Sequence, residues 1–270
     1  MMAQLIDRKR LKADTKTLLK SAQVNPRLFT ALYLCILLLL NLGDMMAAGD
    51  APTIADRNLL GMFAYAMVYL LTMTLNAGFV LYCMAVRRGE RAEILTLFDG
   101  FSFVGKLISL NIIIYFFVSL WAMLFVIPGV VAAYRYRFAL YNLYENPGLS
   151  VFEALNMSKR QTLGYKFQLL QLDVSFLGWG LLSTLPMILY YMNLFNHAMI
   201  MTSAGFTMET VLNAAPPSIV VFLAGNLWSI LVQAFYLPYY QTTELGYFEI
   251  AKQTSGVDPE KYGAQGPDSL

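Results

Sequence analysis

Few residues in this chain could do chemistry at membrane depth. Arg135 and Arg137, interleaved with Tyr134 and Tyr136, lie in a largely apolar stretch from Val130 to Glu145, and Asp173 lies in the apolar run that begins near Phe167. A guanidinium in hydrocarbon is costly, so it faces protein or water and marks either a register-fixing ion pair or a site for an anion. Residues two apart point to nearly opposite sides of a helix, so one cavity can take only one of these arginines comfortably. At 1.5 Å per residue, Arg137 sits roughly 12 Å from Glu145 and Asp173 roughly 9 Å from Phe167. Matching depths predict an Arg137–Asp173 pair, with Arg135 as the alternative partner. Exchanging the two charges is then expected to restore folding lost in either single variant. Tyr134, Tyr136, Tyr141 and Tyr144 flank the arginines, as Tyr236, Tyr239, Tyr240 and Tyr247 crowd the end of the last apolar run. Most have the ordinary explanation of an interfacial aromatic belt. The sharper expectation is an inward-facing pocket for an anionic amphiphile, such as a lipid headgroup, reached by Arg135. The candidate binding residues are therefore Arg135, Arg137, Asp173, Tyr134 and Tyr136.

No zinc helix of the H-E-x-x-H kind, nucleophile elbow or Walker loop occurs in the sequence. The single histidine, His197, is far from Glu209, which argues against a metal site. The expectation is a non-enzymatic protein with no cofactor and no catalytic residues. A net charge of +2, with 58% apolar and 13% charged residues and a mean hydropathy of +0.54, excludes an ordinary soluble domain, where about a quarter of residues are charged. Nothing in the charge pattern points to nucleic acid.

These residues are carried by an all-α, polytopic membrane protein with about six transmembrane helices, since a helix of about 20 residues crosses a bilayer. The predicted spans are 28–46, 59–86, 107–127, 130–145, 167–192 and 218–243, within a helical membrane domain of residues 25–250. Residues 1–24 form a basic surface helix with imperfect amphipathicity, held by attraction to anionic lipid. Residues 251–270 form a flexible tail rich in Gly and Pro. Residues 93–108 show a helical stripe of Ile94, Leu97, Phe98, Phe101, Val104 and Ile108, which predicts an interfacial helix. Pro128-Gly129 predicts a break, and Ser150 followed by Glu153 makes a capping box that starts a new helix. The loop 193–217 contains no Lys or Arg. Ala77-Gly78 and Gly178-Trp179-Gly180 suggest close packing of helices.

Of the 19 basic residues, all but Arg57, Arg135 and Arg137 fall on one side of such a six-span arrangement. The positive-inside rule then predicts a multi-pass protein of a cytoplasmic membrane with both termini cytoplasmic. The expected partners are the lipid bilayer and the anionic headgroups of its inner leaflet, and, for a scaffold, a membrane-protein partner.

LFDGF at 97–101, LWAMLFVIPGVVAAYRYRFALY at 120–141, ENP at 145–147, EALNMSKRQTLGYK at 153–166, LDVSFLGW at 172–179, LPYY at 237–240 and GYFE at 246–249 occur along the chain. Together they resemble an uncharacterised bacterial integral-membrane family, number 975 of the domains of unknown function. The resemblance implies a bacterial plasma-membrane protein of several helices and supplies no activity. The leading expectation is binding of lipid or amphiphile, or scaffolding of a membrane complex. The alternative is a small transporter or lipid flippase using intramembrane arginine for an anionic substrate.

Overall fold

Local sequence signals set where the helices begin and end. In the computed structural model, which describes residues 4–49, 54–203 and 219–259, nine α-helices carry the chain and no strand occurs among the described residues. They are α1 (Arg8–Ser21), α2 (Pro26–Ala48), α3 (Leu59–Arg88), α4 (Val104–Leu124), α5 (Val126–Tyr136), α6 (Ala139–Glu145), α7 (Val151–Gln161), α8 (Lys166–Ser203) and α9 (Ile219–Ser255). Asp7, Asn25 and Asn58 cap α1, α2 and α3 by accepting backbone N–H groups that have no partner within the helix. Gly89 ends α3 at φ 71°, a left-handed conformation that glycine adopts without steric cost. The capping box of α7 forms as its sequence predicts: Glu153 N donates to Ser150 Oγ, and Ser150 N to Glu153 Oε2 at 2.7 Å. Ser150→Ala is expected to lower thermal stability by about 1 kcal/mol, measured by unfolding in detergent.

Five helical stretches are long and apolar enough to cross a membrane: Pro26–Ala48, Leu59–Arg88, Ile94–Leu124, Lys166–Asn193 and Val220–Ser255. The expected single span at 130–145 is instead divided. Here α5 has 11 residues and α6 has 7, and the chain turns between them at Arg137-Phe138. The expected break at Pro128-Gly129 falls earlier, at Phe125, which is extended (φ −159°, ψ 149°). Pro128 lies in the first turn of α5, where a missing N–H costs nothing. Gly129 lets α5 fold back closely on α4, since a Cβ there would stand 2.9 Å from Ala122 Cα. Leu110 packs with Ala132, Tyr136, Ala139 and Leu143 along this hairpin. At its far end Lys106 Nζ donates to the carbonyls of Pro147 and Leu149. The chain leaving α6 therefore returns to the level where α4 began.

Residues 94–103 form a 3-10 helix instead of the expected amphipathic α-helix. A three-residue repeat groups Leu97, Gly100 and Phe103, while Phe98 and Phe101 lie on another edge. Leu97 and Gly100 are buried against α3, whereas Phe98 and Phe101 remain exposed. The stripe read at helical spacing is thus split between a protein-facing and an outward edge.

Helix α9 packs against α8, α2, α3 and α1. Phe29 stacks on Tyr82 at 3.7 Å and Tyr33 on Phe79 at 5.0 Å, which registers α2 on α3. Helix α1, expected to be held by lipid, docks on the protein itself. Leu11 and Thr15 are buried, Ile6 N donates to Gln168 Oε1, Arg8 Nη1 to the Gln171 carbonyl and Lys12 Nζ to Ser175 Oγ. The expected loop after Met192 also changes, because α8 continues to Ser203. Likewise α9 runs into the expected tail, and the carbonyls of Val257 and Pro259 accept from Gln161 and Asn146. The rest of the expected tail, 260–270, and residues 204–218 of the expected loop lie outside the described residues. At the opposite end of α2, Arg57 pairs with Asp44 at 2.6 Å.

Candidate functional site

Arg137 occupies the turn between α5 and α6, with Tyr134 three residues before it and Tyr141 four after, so the three share one side of the chain. On α9, Tyr240 and Glu244 are likewise four apart and face the same way. Asp173 comes from the second turn of α8. These elements meet around the guanidinium. Arg137 Nη1 and Nη2 donate to Asp173 Oδ2 and Oδ1 at 2.7 and 2.9 Å. Arg137 Nε and Nη2 donate to Glu244 Oε1 and Oε2 at 2.6 and 3.0 Å. Both pairings are bidentate, the geometry in which a planar guanidinium binds carboxylates most strongly.

Phenols complete the cluster. Tyr134 OH donates to Asp173 Oδ2 at 2.5 Å, Tyr240 OH to Asp173 Oδ1 at 2.7 Å and Tyr141 OH to Glu244 Oε1 at 2.9 Å. Gln241 Nε2 in turn donates to Tyr141 OH, and Arg137 Nη2 also contacts Tyr240 OH. The Glu244 side chain is only 4% exposed, so the ion pair stands largely out of water. Two carboxylates share one guanidinium, and three phenol donors offset the remaining negative charge. Such an arrangement clamps α5, α6, α8 and α9 together, and it commits the edges of Arg137 to partners within the protein.

The expected five residues therefore divide. Tyr134, Arg137 and Asp173 come together; Arg135 and Tyr136 do not join them. Arg135 is exposed, and only its backbone carbonyl is engaged here, by Ser158 Oγ and Thr162 Oγ1. Tyr136 is buried on the other side of α5, near Phe117 and beneath Lys159. Glu244 is the partner missing from the expected pair. Its spacing from Tyr240, and that of Tyr134, Arg137 and Tyr141, is a helical signal that could have grouped them. No local signal joins the two groups, which are 107 residues apart.

A second charged layer lies beside the first. Glu145, at the end of α6, accepts from Lys252 at 2.7 Å and from Arg88 at 2.6 Å. Arg87 Nε donates to Glu249 Oε2 at 2.8 Å. Next to it the buried amides of Asn142 and Gln161 exchange two hydrogen bonds, 2.9 and 2.8 Å, joining α6 to α7. On α1 the cations crowd each other. Desolvation, with Arg8 and Lys16 nearby, lowers the Lys12 pKa from its ordinary value. Among the described residues no group of three or more His, Cys, Asp or Glu could hold a metal ion.

Long apolar helices tied by a ladder of ion pairs and phenols define an all-helical protein with several helices able to span a membrane. Residues 123–255 match the family described as protein of unknown function (DUF975), and the resemblance carried by the motifs is to that family. The matched segment holds Arg137, Asp173, Tyr240 and Glu244, while LFDGF at 97–101 precedes it. No curated protein and no solved structure matches the chain.

Proposed function

We propose that this chain is a non-enzymatic, multi-pass protein of the bacterial cytoplasmic membrane that binds anionic lipid at the inner leaflet, with both termini cytoplasmic. The observation that carries the reading is the seating of α1. Its apolar contacts and the hydrogen bonds from Ile6, Arg8 and Lys12 fasten it to the bundle, while Lys9, Arg10, Lys16 and Lys20 stay exposed. Arg87, Arg88 and Lys252 at the same end of the bundle already meet Glu249 and Glu145, so it is the exposed cations of α1 that are left to meet an anionic surface. Juxtamembrane cations gain about 1 kcal/mol each near an anionic surface. The return of the α4–α5–α6 hairpin supports six crossings, with α5 and α6 together making the fourth.

Under this reading Arg137 is a structural clamp and not a substrate ligand, since its donors already meet Asp173 and Glu244. The test is retention of phospholipid by the purified full chain through detergent exchange, read by native mass spectrometry. Selective retention of phosphatidylglycerol over phosphatidylcholine is expected. Two results would replace the reading. One is anion flux in proteoliposomes lost on Arg135→Gln, which indicates a transporter. The other is a stoichiometric protein partner with no retained lipid, which indicates a scaffold.

A further inference from the structure

A groove of about 710 Å³ opens between the end of α1, the start of α2 and the middle parts of α8 and α9. One side carries Lys16, Lys20 and Arg27; the other carries Trp179, Phe235, Tyr236 and Tyr239. No Asp or Glu lines it. The three cations are exposed, and none has a carboxylate partner among the described residues. Four other cations, Arg87, Arg88, Arg137 and Lys252, do meet carboxylates, whereas exposed Lys9 and Arg10 on α1 share, among the described residues, the unmatched state of the groove cations without its aromatic wall. The groove is therefore a place where positive charge has been gathered and left for something else to neutralise.

The apolar side has a definite build. Trp179 and Tyr236 stack at 6.2 Å, and Trp179 and Phe235 remain about half exposed. The Arg27 guanidinium lies 4.6 Å from the Phe235 ring centre and Lys16 Nζ 5.7 Å from that of Tyr239, so aromatic faces hold two of the cations at the rim. Its position along the helices is equally telling. Trp179 comes just after Asp173 on α8, Tyr236 just before Tyr240 on α9, and Arg27 just before the apolar run of α2. That is where each helix passes from polar surroundings to hydrocarbon, the level at which aromatic residues and headgroups meet.

We infer that this groove seats one anionic glycerophospholipid of the inner leaflet. Lys16, Lys20 and Arg27 contact its phosphate, and the Trp179, Phe235 and Tyr236 surface contacts the glycerol and upper acyl chains. This deepens the lipid-binding reading above and rests on it. A soluble phosphate would satisfy the cations and leave the aromatic wall unused, so the two sources of the same chemistry are separable.

The full chain in neutral detergent is titrated with phosphatidylglycerol, phosphatidylcholine, glycerol 3-phosphate and inorganic phosphate, with bound species counted by native mass spectrometry. The wild type is expected to hold one phosphatidylglycerol. The triple variant Lys16→Gln, Lys20→Gln, Arg27→Gln is expected to weaken it by about tenfold or more, given the energy of cations near anionic headgroups. A control, Arg91→Gln with Arg160→Gln, removes exposed charge elsewhere, outside the groove, and is expected to change binding less than about twofold. Trp179→Ala weakens lipid binding in the same assay and leaves the charge unchanged. Unfolding curves verify that each variant keeps the fold. Equal loss in the triple variant and the control overturns the groove but leaves the lipid-binding reading standing. Glycerol 3-phosphate or inorganic phosphate bound through the same three residues, with no preference for the lipid, also overturns it. A wild type that retains no anionic lipid removes the underlying reading itself.

Discussion

Arg137→Met is expected to destabilise the protein by about 3–5 kcal/mol, enough to abolish a cooperative unfolding transition in detergent or to prevent accumulation of folded protein. The magnitude follows from what is left behind. Asp173 and Glu244 would face each other across the vacated site, with Glu244 almost wholly shielded from water and left with the Tyr141 phenol as its hydrogen-bond donor. Removing one member of a buried ion pair costs far more than the pair contributes, because the remaining charge keeps its desolvation penalty. The structure also reverses the charge-exchange expectation. With two carboxylates on one guanidinium, Arg137→Asp combined with Asp173→Arg places a new carboxylate beside Glu244 and does not restore stability. Neutralising all three, as Arg137→Met with Asp173→Asn and Glu244→Gln, recovers most of the loss. Chemical unfolding of the four proteins checks this; an Arg137→Met protein within about 1 kcal/mol of wild type would show the clamp to be dispensable.

Gly78→Val is expected to be nearly as damaging, for a steric reason. A Cβ at Gly78 would stand 1.9 Å from the Leu97 carbonyl oxygen and 2.8 Å from its Cα, so the backbone of the 3-10 segment itself blocks any side chain. The reciprocal contact is as close, with a Cβ at Gly100 lying 2.1 Å from the Thr74 carbonyl oxygen. Backbone cannot rotate away as a flexible side chain can, so the segment must lift off α3 and expose Leu97, which is fully buried. Overpacking in a well-filled core typically costs about 1–3 kcal/mol, and a displaced element adds to that. Gly178→Ala and Gly180→Ala serve as controls, since nothing lies within 4 Å of a Cβ at either position. Near wild-type melting of both, against loss of folded Gly78→Val, is the expected result. These two glycines flank Trp179 in open surroundings, which corrects their reading as packing sites.

Helix-level features were legible because they depend on neighbours in the chain. The Ser150–Glu153 box, the starts of α2 and α3 near the expected positions and the basic helix before residue 24 all follow from short-range patterns. Errors arose where a different local geometry changed the repeat, as in 94–103, or where a neighbour supported more helix than hydropathy suggested. The last turns of α9, beyond Thr243, are polar, yet they are buried against α1, α3 and α6 through Tyr247, Phe248 and Ala251. Half of the candidate site was legible by matching depths, which selected Arg137 and Asp173. Glu244 was not, because depth along one helix says nothing about which third helix stands alongside.

The sequence by itself determined that long helices able to span a membrane carry this protein, and that its positive charge collects between particular pairs of them. Both are sums over contiguous residues: apolar length sets what can cross a bilayer, and loop composition sets where cations lie. Only the tertiary structure decided that Arg137 is consumed by two carboxylates, that Arg135 stands apart, and that Lys16, Lys20 and Arg27 face an aromatic wall without a countercharge. Those facts depend on helices far apart in the chain approaching to within a hydrogen bond, and a hydropathy pattern, which has no term for such contacts, carries no trace of them.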